Sequence, residues 1–342
     1  MNDKVAPHRA ILRALSEAEG QPVTGEELGR RLGVSRTAVW KQVQKLKAMG
    51  YAIESAGKRG YRLQAHADVL LGHQLEMHLT TRWLGRTYEH HESLGSTNDR
   101  AMELARSGAP AGTVVVAEEQ TRGRGRLRRV WESPKGRGVY SSLVLRPELP
   151  ARRGPEMTLV AALALAESIR DQWHLDARIK WPNDVLLSGR KAAGILTEMQ
   201  SDPDGIQFLV VGTGINVFHD RPDFGENPLY PATSLALELK SAGGAPPHRP
   251  PYLTRAKVLA GYLNRLEEVY EGWVRDGLAP YLERLKAASA VLGKQVVVRT
   301  GEETVEGWAA DISPDGALVL EEKTGGRRTL YVGDIVRLRE VD

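Results

Sequence analysis

The hydrophobic pattern at the start of the chain predicts a compact helical unit. Apolar residues recur at the spacing of one helix face in residues 8–18, and again after Thr24, a predicted helix cap. Ser35 is the predicted cap of a third helix, residues 36–49, which is followed by a hairpin pattern over residues 51–63. Helix, helix, tight turn, basic helix and hairpin is the order of a winged helix-turn-helix, which binds DNA.

The third predicted helix has an apolar face and a polar face. The apolar face carries Val39, Val43, Leu46 and Met49. The opposite face is polar and basic, which suits contacts with bases and phosphates. The side chains that we expect to contact DNA are Ser35, Arg36, Thr37, Trp40, Lys41 and Lys45. Trp40 is equally suited to packing.

Helix and strand patterns alternate through the middle of the chain, from residue 96 to about 287. The predicted helices are 97–106, with Ser96 or Thr97 as cap, 156–173, 255–274 and 278–285. The predicted strands are 113–117, 139–145 and 206–217, the last ending in a glycine-permissive turn. This order predicts a mixed α/β domain built around a sheet.

The pattern changes again from residue 293. Five short strand patterns, near 294–299, 304–311, 317–321, 328–332 and 335–339, alternate with turns, which predicts a small β-barrel. The chain is therefore predicted to be a multidomain α+β protein. We expect a winged helix-turn-helix in residues 1–64, a central mixed α/β domain in 65–288 and a small barrel in 289–342.

Charge and composition narrow the class of protein. Residues 1–64 hold 12 Lys/Arg and 6 Asp/Glu, a net charge of +6 in a chain whose total is +4, so nucleic acid is expected at the N-terminal end. Cysteine is absent, which excludes disulfides and thiolate catalysis. The sequence has neither a signal peptide nor a transmembrane run, so a cytoplasmic location without membrane contact is expected.

Two polar segments carry the candidate chemistry. Residues 120–137, QTRGRGRLRRVWESPKGR, hold seven basic residues, and residues 180–196 read KWPNDVLLSGRKAAGIL with an ordered turn. Arginines among glycines let a backbone bend closely around phosphate or carboxylate groups. The alternative is a flexible RNA-binding segment, but the run is short, lacks Phe and Tyr, and lies between two predicted strands. We therefore expect a site for a nucleotide and a small acid.

These segments, together with Ser96-Thr97-Asn98, resemble the biotin–protein ligase family. With the winged helix before them and the barrel after, the whole chain resembles the bifunctional members that also repress biotin synthesis genes. The resemblance implies a synthetase-like catalytic domain that uses ATP, biotin and Mg²⁺ to form biotinyl-5′-AMP. It also implies transfer of biotin to a lysine of a biotin carboxyl carrier protein, the reaction of biotin–[acetyl-CoA-carboxylase] ligase. The further implied partners are operator DNA and a second copy of the chain, in a ligand-induced homodimer.

The same resemblance assigns roles to individual residues. It implies that Lys191, Arg124 and Arg126 are catalytic, and that Asp184 helps to place Mg²⁺. The implied nucleotide-binding residues are Arg126, Trp131, Asn183 and Asn216. The implied biotin-binding residues are Ser96, Thr97, Asn98, Gln120, Gly123, Arg124, Gly125, Arg126 and Lys191. Considered singly, Lys191 would be a surface lysine, and only its spacing from KWPND favours a role in the site. Asp184 alone could simply fix a turn.

Two positions of this sequence depart from the family pattern. Arg128 stands where the family loop has glycine, and Asp99 stands where a glutamine often follows Ser-Thr-Asn. Asp99 is expected to be tolerated in the first turn of a helix.

Three other functions are alternatives to the bifunctional ligase and repressor. They are a ligand-sensing transcription factor without turnover, a monofunctional ligase with a non-functional winged helix, and a lipoate ligase. Lys191, Arg124 and Gln120 oppose the first, and the polar helix face opposes the second.

Overall fold

The computed structural model describes most of the chain in two compact units, residues 1–69 and 70–342. The described residues are 10–12, 14, 15, 18, 20–48, 51, 53–63, 68–224, 231–241, 253–301, 303–322 and 325–339. Met49, Gly50 and part of the predicted first helix lie outside them. None of the helices in these ranges is long and apolar enough to cross a membrane.

The first unit contains the predicted helices and hairpin. Its elements are α1 (Gly25–Leu32), α2 (Arg36–Ala48), β1 (Ile53–Ser55) and β2 (Tyr61–Leu63), with further helical residues at 10–12, 14 and 15. Both predicted caps are confirmed: Thr24 Oγ1 accepts from the Glu27 amide at 3.1 Å and Ser35 Oγ from the Ala38 amide at 3.2 Å. Gly33 makes the turn between the helices at φ +66°.

The two faces of α2 are as predicted within the described residues. Val39, Val43 and Leu46 are fully buried in the core of the first unit, as are Ile11 and Leu15. The predicted DNA-contacting side chains Ser35, Arg36, Thr37, Trp40, Lys41 and Lys45 are all exposed. Trp40 is 51% exposed, which favours an external contact over packing within this unit.

The second unit is built on a seven-stranded sheet with the order β3-β4-β5-β9-β8-β7-β6. Only β3 and β4 pair in parallel, and the other neighbours are antiparallel. The strands are β3 (Tyr88–His91), β4 (Val114–Ala117), β5 (Gly138–Leu145), β6 (Ala177–Lys180), β7 (Asp184–Leu187), β8 (Arg190–Asp202) and β9 (Gly205–Asn216). The helices are α3 (Gly72–Glu76), α4 (Thr97–Arg106), α5 (Glu156–Trp173), α6 (Leu235–Ser241), α7 (Arg255–Asp276) and α8 (Leu282–Ala287).

Alternation along the strands divides the helices between the two sheet faces. Val115, Val144 and Val210 pack with Ala101 and Ala105 of α4 in a small core. The neighbouring strand residues point to the opposite face and join α5 and α7 in the main core. This arrangement leaves the ends of β8 and β9 open for a site.

The C-terminal module is a five-stranded antiparallel sheet with the order β13-β12-β11-β10-β14. Its strands are β10 (Gln295–Thr300), β11 (Glu303–Ile312), β12 (Leu318–Glu321), β13 (Arg327–Leu330) and β14 (Asp334–Arg339), close to the five predicted stretches. In the part of the chain that is described, β13 and β14 remain edge strands, so closure into an SH3-like barrel is not seen. The module packs on the central sheet, where Trp181 Nε1 donates to the Gly316 carbonyl at 3.0 Å.

Candidate active site

A cavity of about 460 Å³ is lined by the last residues of β9, the first half of β8 and the arginine-rich segment. Nearly all of the site residues predicted in the second unit come together there. They are Ser96, Thr97, Asn98, Gln120, Arg124, Gly125, Arg126, Trp131, Asn183, Asp184, Lys191 and Asn216. Gly123 does not line the cavity. It packs against the backbone of Trp131 within the same segment, where a Cβ atom would lie 2.4 Å from the Trp131 carbonyl oxygen.

Glycines form the floor of the cavity. Gly194 of β8 and Gly214 of β9 are cross-strand partners, and the Trp131 ring lies directly on them. A Cβ atom at Gly214 would be 2.4 Å from Trp131 Cε2, and one at Gly194 would be 2.9 Å from Cζ3. The predicted strand 206–217 is confirmed as β9, but Gly214 lies within it and not in the predicted turn, because β9 continues through Asn216. Gly194 and Gly214 lack a Cβ atom and so allow the Trp131 ring to approach the sheet closely.

Hydroxyl and amide groups fill one end of the cavity. Gln120 Oε1 accepts from the Thr97 amide at 2.8 Å and from the Thr97 hydroxyl at 3.1 Å, and Gln120 Nε2 donates to Ser133 at 3.0 Å. Ser142 Oγ lies 2.6 Å from Asn98 Oδ1 and 2.8 Å from the Thr97 hydroxyl. Sequence reasoning missed Ser142, which is fully buried in β5 and contacts Thr97 and Asn98 without lining the cavity itself.

Ser96 occupies the N-cap position of α4, but its side chain accepts no capping hydrogen bond. The predicted N-cap position is therefore confirmed for Ser96, but its hydroxyl does not make the capping hydrogen bond. The residue is 5% exposed and lines the cavity. Its hydroxyl is thus placed beside Thr97 and Asn98 at the polar end.

Two lysines and one aspartate form the charged centre. Asp184 Oδ1 is 2.7 Å from Lys191 Nζ, and Asp184 Oδ2 is 3.7 Å from Lys180 Nζ. The Lys191 ammonium lies over the Trp131 ring at 5.2 Å. Burial lowers the pKa of Lys180 to about 8, against the opposing effect of the Asp184 carboxylate. Sequence reasoning missed Lys180 as a second cation.

The side chains of Asn183 and Asn216 donate hydrogen bonds to backbone carbonyls next to this charged centre. Asn183 Nδ2 donates to the Ile195 carbonyl at 3.1 Å, while its Oδ1 lies 3.4 Å from Arg126 Nη1. Asn216 Nδ2 donates to the Thr233 carbonyl at 3.0 Å. Their predicted contacts with a nucleotide stay a prediction.

The arginine-rich segment folds back on itself between residues 123 and 131, a stretch that we call the arginine hairpin. The Gly125 amide donates to the Arg129 carbonyl at 2.7 Å, and the Trp131 amide donates to the Gly123 carbonyl at 3.0 Å. Arg124 and Val130 form an isolated bridge between its two arms. The hairpin therefore places the Trp131 ring at the foot of one arm and Arg126 near the tip.

Carboxylates hold the hairpin at two points. Arg124 pairs with Asp99 at 2.6 Å and with Glu198 at 3.1 Å. Arg126 and Arg129 both pair with Asp334 of the C-terminal module, at 2.9 and 2.8 Å. Asp334 is 7% exposed, so these contacts form away from bulk water. Sequence reasoning missed Asp334 and Glu198, and it saw Asp99 only as a helix residue.

A buried arginine joins the two ends of the segment that carries the hairpin. Arg255 is fully buried, 2.7 Å from Glu118 at the end of β4, and it donates to the Gly138 carbonyl at the start of β5. Burial would raise the pKa of Glu118, but the hydrogen bond with His90 and the Arg255 charge hold this pKa at about 2. The base of the segment is thus fixed by a charged pair.

The departure at Arg128 has a backbone consequence. Leu127 and Arg128 adopt φ values of +55° and +58°, the left-handed region that favours glycine. The Arg128 side chain is exposed. The glycine that the family pattern has at this position therefore fits the observed backbone better than arginine does.

We expect Arg128→Gly to stabilise the hairpin conformation by about 1 kcal/mol, because glycine removes the left-handed strain at this position. Turnover should stay within about twofold, since the exposed Arg128 guanidinium makes no ion pair with the described residues. Hydrogen exchange at the Gly125 and Arg129 amides should slow. Faster exchange, or a tenfold loss of activity, would show that Arg128 makes a contact of its own.

The surroundings of Asp184 do not favour Mg²⁺. Within the described ranges, no three His, Cys, Asp or Glu side chains come together in a way that could hold a metal ion. Asp184 faces two ammonium groups, which compete for the oxygens that Mg²⁺ would need. A Mg²⁺ ion held by the protein therefore fits poorly at Asp184.

The fold and the cavity define an enzyme that handles anions and carries a helix-turn-helix unit in the same chain. A model of the biotin/lipoate A/B protein ligase family matches residues 91–216. An HTH domain model matches residues 8–62, and a biotin protein ligase C-terminal domain model matches residues 291–338. The three matches follow the order of the observed modules.

Full-length relatives and a solved structure agree with these matches. The chain is 36% identical to the bifunctional ligase/repressor BirA of Bacillus subtilis, over 95% of this chain and 97% of the relative. It is 31% identical to the Escherichia coli protein of the same name over the whole of both chains. The biotin protein ligase from Aquifex aeolicus in complex with biotin and ATP covers 75% of this chain and 100% of its own, with a TM-score of 0.60 and 27% identity. The chain therefore belongs to the biotin protein ligase family, with the bifunctional ligase/repressors, and the predicted family is confirmed.

Proposed function

We propose that this protein is an ATP-dependent biotin–protein ligase and a biotin-responsive repressor of biotin synthesis genes. In the first step a carboxylate oxygen of biotin bonds to the α-phosphorus of ATP, and pyrophosphate leaves. In the second step the amine of a lysine on a biotin carboxyl carrier protein attacks the acyl carbon of biotinyl-5′-AMP. The amine loses a proton, an amide forms and AMP leaves. Neither step needs a covalent enzyme nucleophile.

The observation that carries the ligase function is the set of cations around the glycine floor. Lys191, Lys180 and Arg126 line one cavity, and each lies within ion-pair distance of a carboxylate. A carboxylate and a triphosphate repel each other, so their reaction requires positive charge that is already in place. Lys191, beside the floor, is the residue that we assign to the biotin carboxylate and the α-phosphate together.

The polar end of the cavity suits the ureido ring of biotin. That ring offers one carbonyl and two N–H groups, and Ser96, Thr97 and Gln120 offer hydroxyls and an amide. Trp131 and the two floor glycines provide a flat surface for the rest of the ligand. The Trp131 Nε1–H is buried without a hydrogen-bond acceptor among the described residues, because the ring edge that carries it lies against Gly214.

The repressor function rests on the exposed basic face of α2. A single winged helix contacts one half-site, so a symmetric operator requires two copies of the chain. We therefore propose a homodimer, formed through the central domain, that is favoured by biotinyl-5′-AMP. The alternative of a ligase with a non-functional winged helix predicts that operator DNA is not bound.

Incubation of the full chain with labelled biotin, ATP, Mg²⁺ and a biotin carboxyl carrier protein tests the ligase. Acid-stable label should appear on the carrier and require ATP. Parallel reactions with labelled lipoate in place of biotin distinguish a biotin ligase from a lipoate ligase. Label from lipoate alone would contradict the biotin assignment, and no label from either would favour a sensor without turnover.

Asp334→Asn should raise the KM for ATP and biotin by about tenfold, because loss of a buried carboxylate shared by two arginines costs more than a surface pair. Arg126 and Arg129 would lose their common anchor, and the hairpin would no longer be held at its tip. The matched control is Asp311→Asn, which removes an acid of the same module that pairs with Lys286 at 2.8 Å. Equal KM values in the two variants would exclude an anchoring role for Asp334.

A further inference from the structure

One aromatic side chain lies on the otherwise polar outer face of α2. Trp40 is 51% exposed, and it is the one large hydrophobic residue of the first unit that is exposed among the residues that the structure describes. A helix places residues three and four apart side by side, so Thr37 and Gln44 flank the indole ring. Both flanking residues are exposed. The indole therefore belongs to the surface that α2 presents outward, and not to the core around Val39 and Val43.

The charge of α2 indicates the kind of partner that this surface fits. The helix contains four Lys/Arg and neither Asp nor Glu. Among the described residues of the first unit, ion pairs join Arg31 to Glu27 and Arg62 to Glu54, and none of them involves α2. Positive charge that no carboxylate of the unit offsets attracts a polyanion. This charge favours DNA over the apolar face of another protein as the partner that covers the indole.

The base edges in the major groove of DNA offer one apolar group to such a ring. Every base pair presents hydrogen-bond donors and acceptors there, and thymine adds its 5-methyl group. Cytosine lacks that group, and so does uracil, which is otherwise identical to thymine. The indole has a single N–H donor, but its ring gains free energy by removing a methyl group from water. Trp40 lies in the N-terminal half of α2, and N-terminal residues of a recognition helix contact base edges.

We propose that Trp40 reads a thymine in each operator half-site by packing its indole ring against the 5-methyl group in the major groove. The residue sets a sequence preference and contributes no charge to binding. This contact rests on the proposed repressor function, since it requires that α2 binds DNA.

Replacement of thymine by uracil in the bound DNA removes the methyl group and leaves every hydrogen-bonding group in place. Duplexes that the full chain selects from a random pool, with biotin, ATP and Mg²⁺ present, supply the DNA. Each thymine of the selected duplex is then replaced by deoxyuracil, singly and in symmetric pairs. We expect one position at which the parent chain loses about three- to fourfold in affinity per half-site, the effect of one methyl group that is no longer buried.

Trp40→Ala provides the decisive comparison. Because Trp40 is half exposed, the variant should unfold at the temperature of the parent chain. It should bind the thymine and uracil duplexes equally at that position, whereas Trp40→Phe, which retains a ring, should keep part of the preference. Gln44→Ala is the matched control, since it removes an exposed neighbour on the same face and should retain the full preference for thymine. An unchanged preference in Trp40→Ala would overturn the proposal.

A contact between the indole N–H and a phosphate is the competing explanation, and affinity for different sequences separates the two. A phosphate contact carries no sequence information, so its loss weakens binding to all duplexes alike. Lys41→Ala should behave in that way and reduce the salt slope of binding by about one for each copy of the chain. Equal weakening of all duplexes by Trp40→Ala would show a backbone contact and overturn the thymine contact.

The same experiments distinguish the thymine contact from DNA binding itself. If the full chain selects no DNA sequence, the repressor function fails and the thymine contact fails with it. If a sequence is selected but the parent chain is insensitive to every uracil replacement, the repressor function stands and the thymine contact alone is wrong.

Discussion

Lys191→Met is expected to slow biotinyl-5′-AMP formation by about 10²–10³-fold while the protein stays folded. The Lys191 ammonium is held 2.7 Å from Asp184 and lies over the Trp131 ring beside the glycine floor. Negative charge that develops between a carboxylate and a phosphate would meet a cation that needs no rearrangement. Methionine is one atom shorter than lysine, and it retains an unbranched apolar chain while the ammonium group is removed.

The measurement is biotin-dependent release of pyrophosphate, with substrate affinity followed separately. Lys180, whose pKa is about 8, remains beside Asp184 and retains part of the positive charge at neutral pH. The loss should therefore fall on kcat more than on the KM for ATP. The control Lys135→Met removes an exposed lysine that pairs with Glu92 and should leave activity unchanged. Unimpaired pyrophosphate release from the Lys191 variant would rule out its assigned role.

Local sequence patterns predicted the parts of the fold that depend on neighbours in the chain. Thr24 and Ser35 cap helices as expected, and the arginine-rich segment lies between two buried strands, β4 and β5. The family resemblance carried by KWPND and the lysine that follows it implied roles for Lys191 and Asp184, which the structure brings into contact. Such features are encoded by spacing over a few residues, so a sequence reveals them.

Contacts between distant segments were not predictable in the same way. Asp334 lies about 200 residues beyond its two arginine partners, and no local pattern separates it from other acids of the C-terminal module. Strands β6, β7 and β8 were missed because glycine, proline and lysine interrupt the hydrophobic pattern there. Ser96 was misassigned as a side-chain cap because a residue type alone does not fix the direction of its hydroxyl.

Replacing Arg36 and Lys41 together with Ala is expected to abolish operator binding and leave ligase activity intact. Both side chains are exposed on α2, and Lys41 lies on the face opposite Val39 and Val43. Arginine and lysine at such positions contact phosphates and base edges, and each mismatched or lost contact typically costs ~1–3 kcal/mol. A dimer would lose two such contacts in each copy, and its affinity for the operator would fall towards its affinity for non-specific DNA.

The matched control is Lys135→Ala with Arg275→Ala, which removes two positive charges from exposed positions of the second unit. Operator affinity should be compared at a fixed salt concentration, because phosphate contacts make it depend strongly on salt. The control should bind the operator as the parent does. Equal loss in both double variants would show that net charge, and not the α2 face, governs binding.

Biotinyl-5′-AMP should strengthen operator binding of the parent chain if it favours the dimer. Ligand binding and dimerisation must then increase each other by the same factor, which gives an independent check by sedimentation with and without the ligand. Because two half-sites are read together, even a modest gain in dimer population raises operator affinity. Operator affinity that is the same with and without biotinyl-5′-AMP would remove the repressor function and leave the ligase function standing.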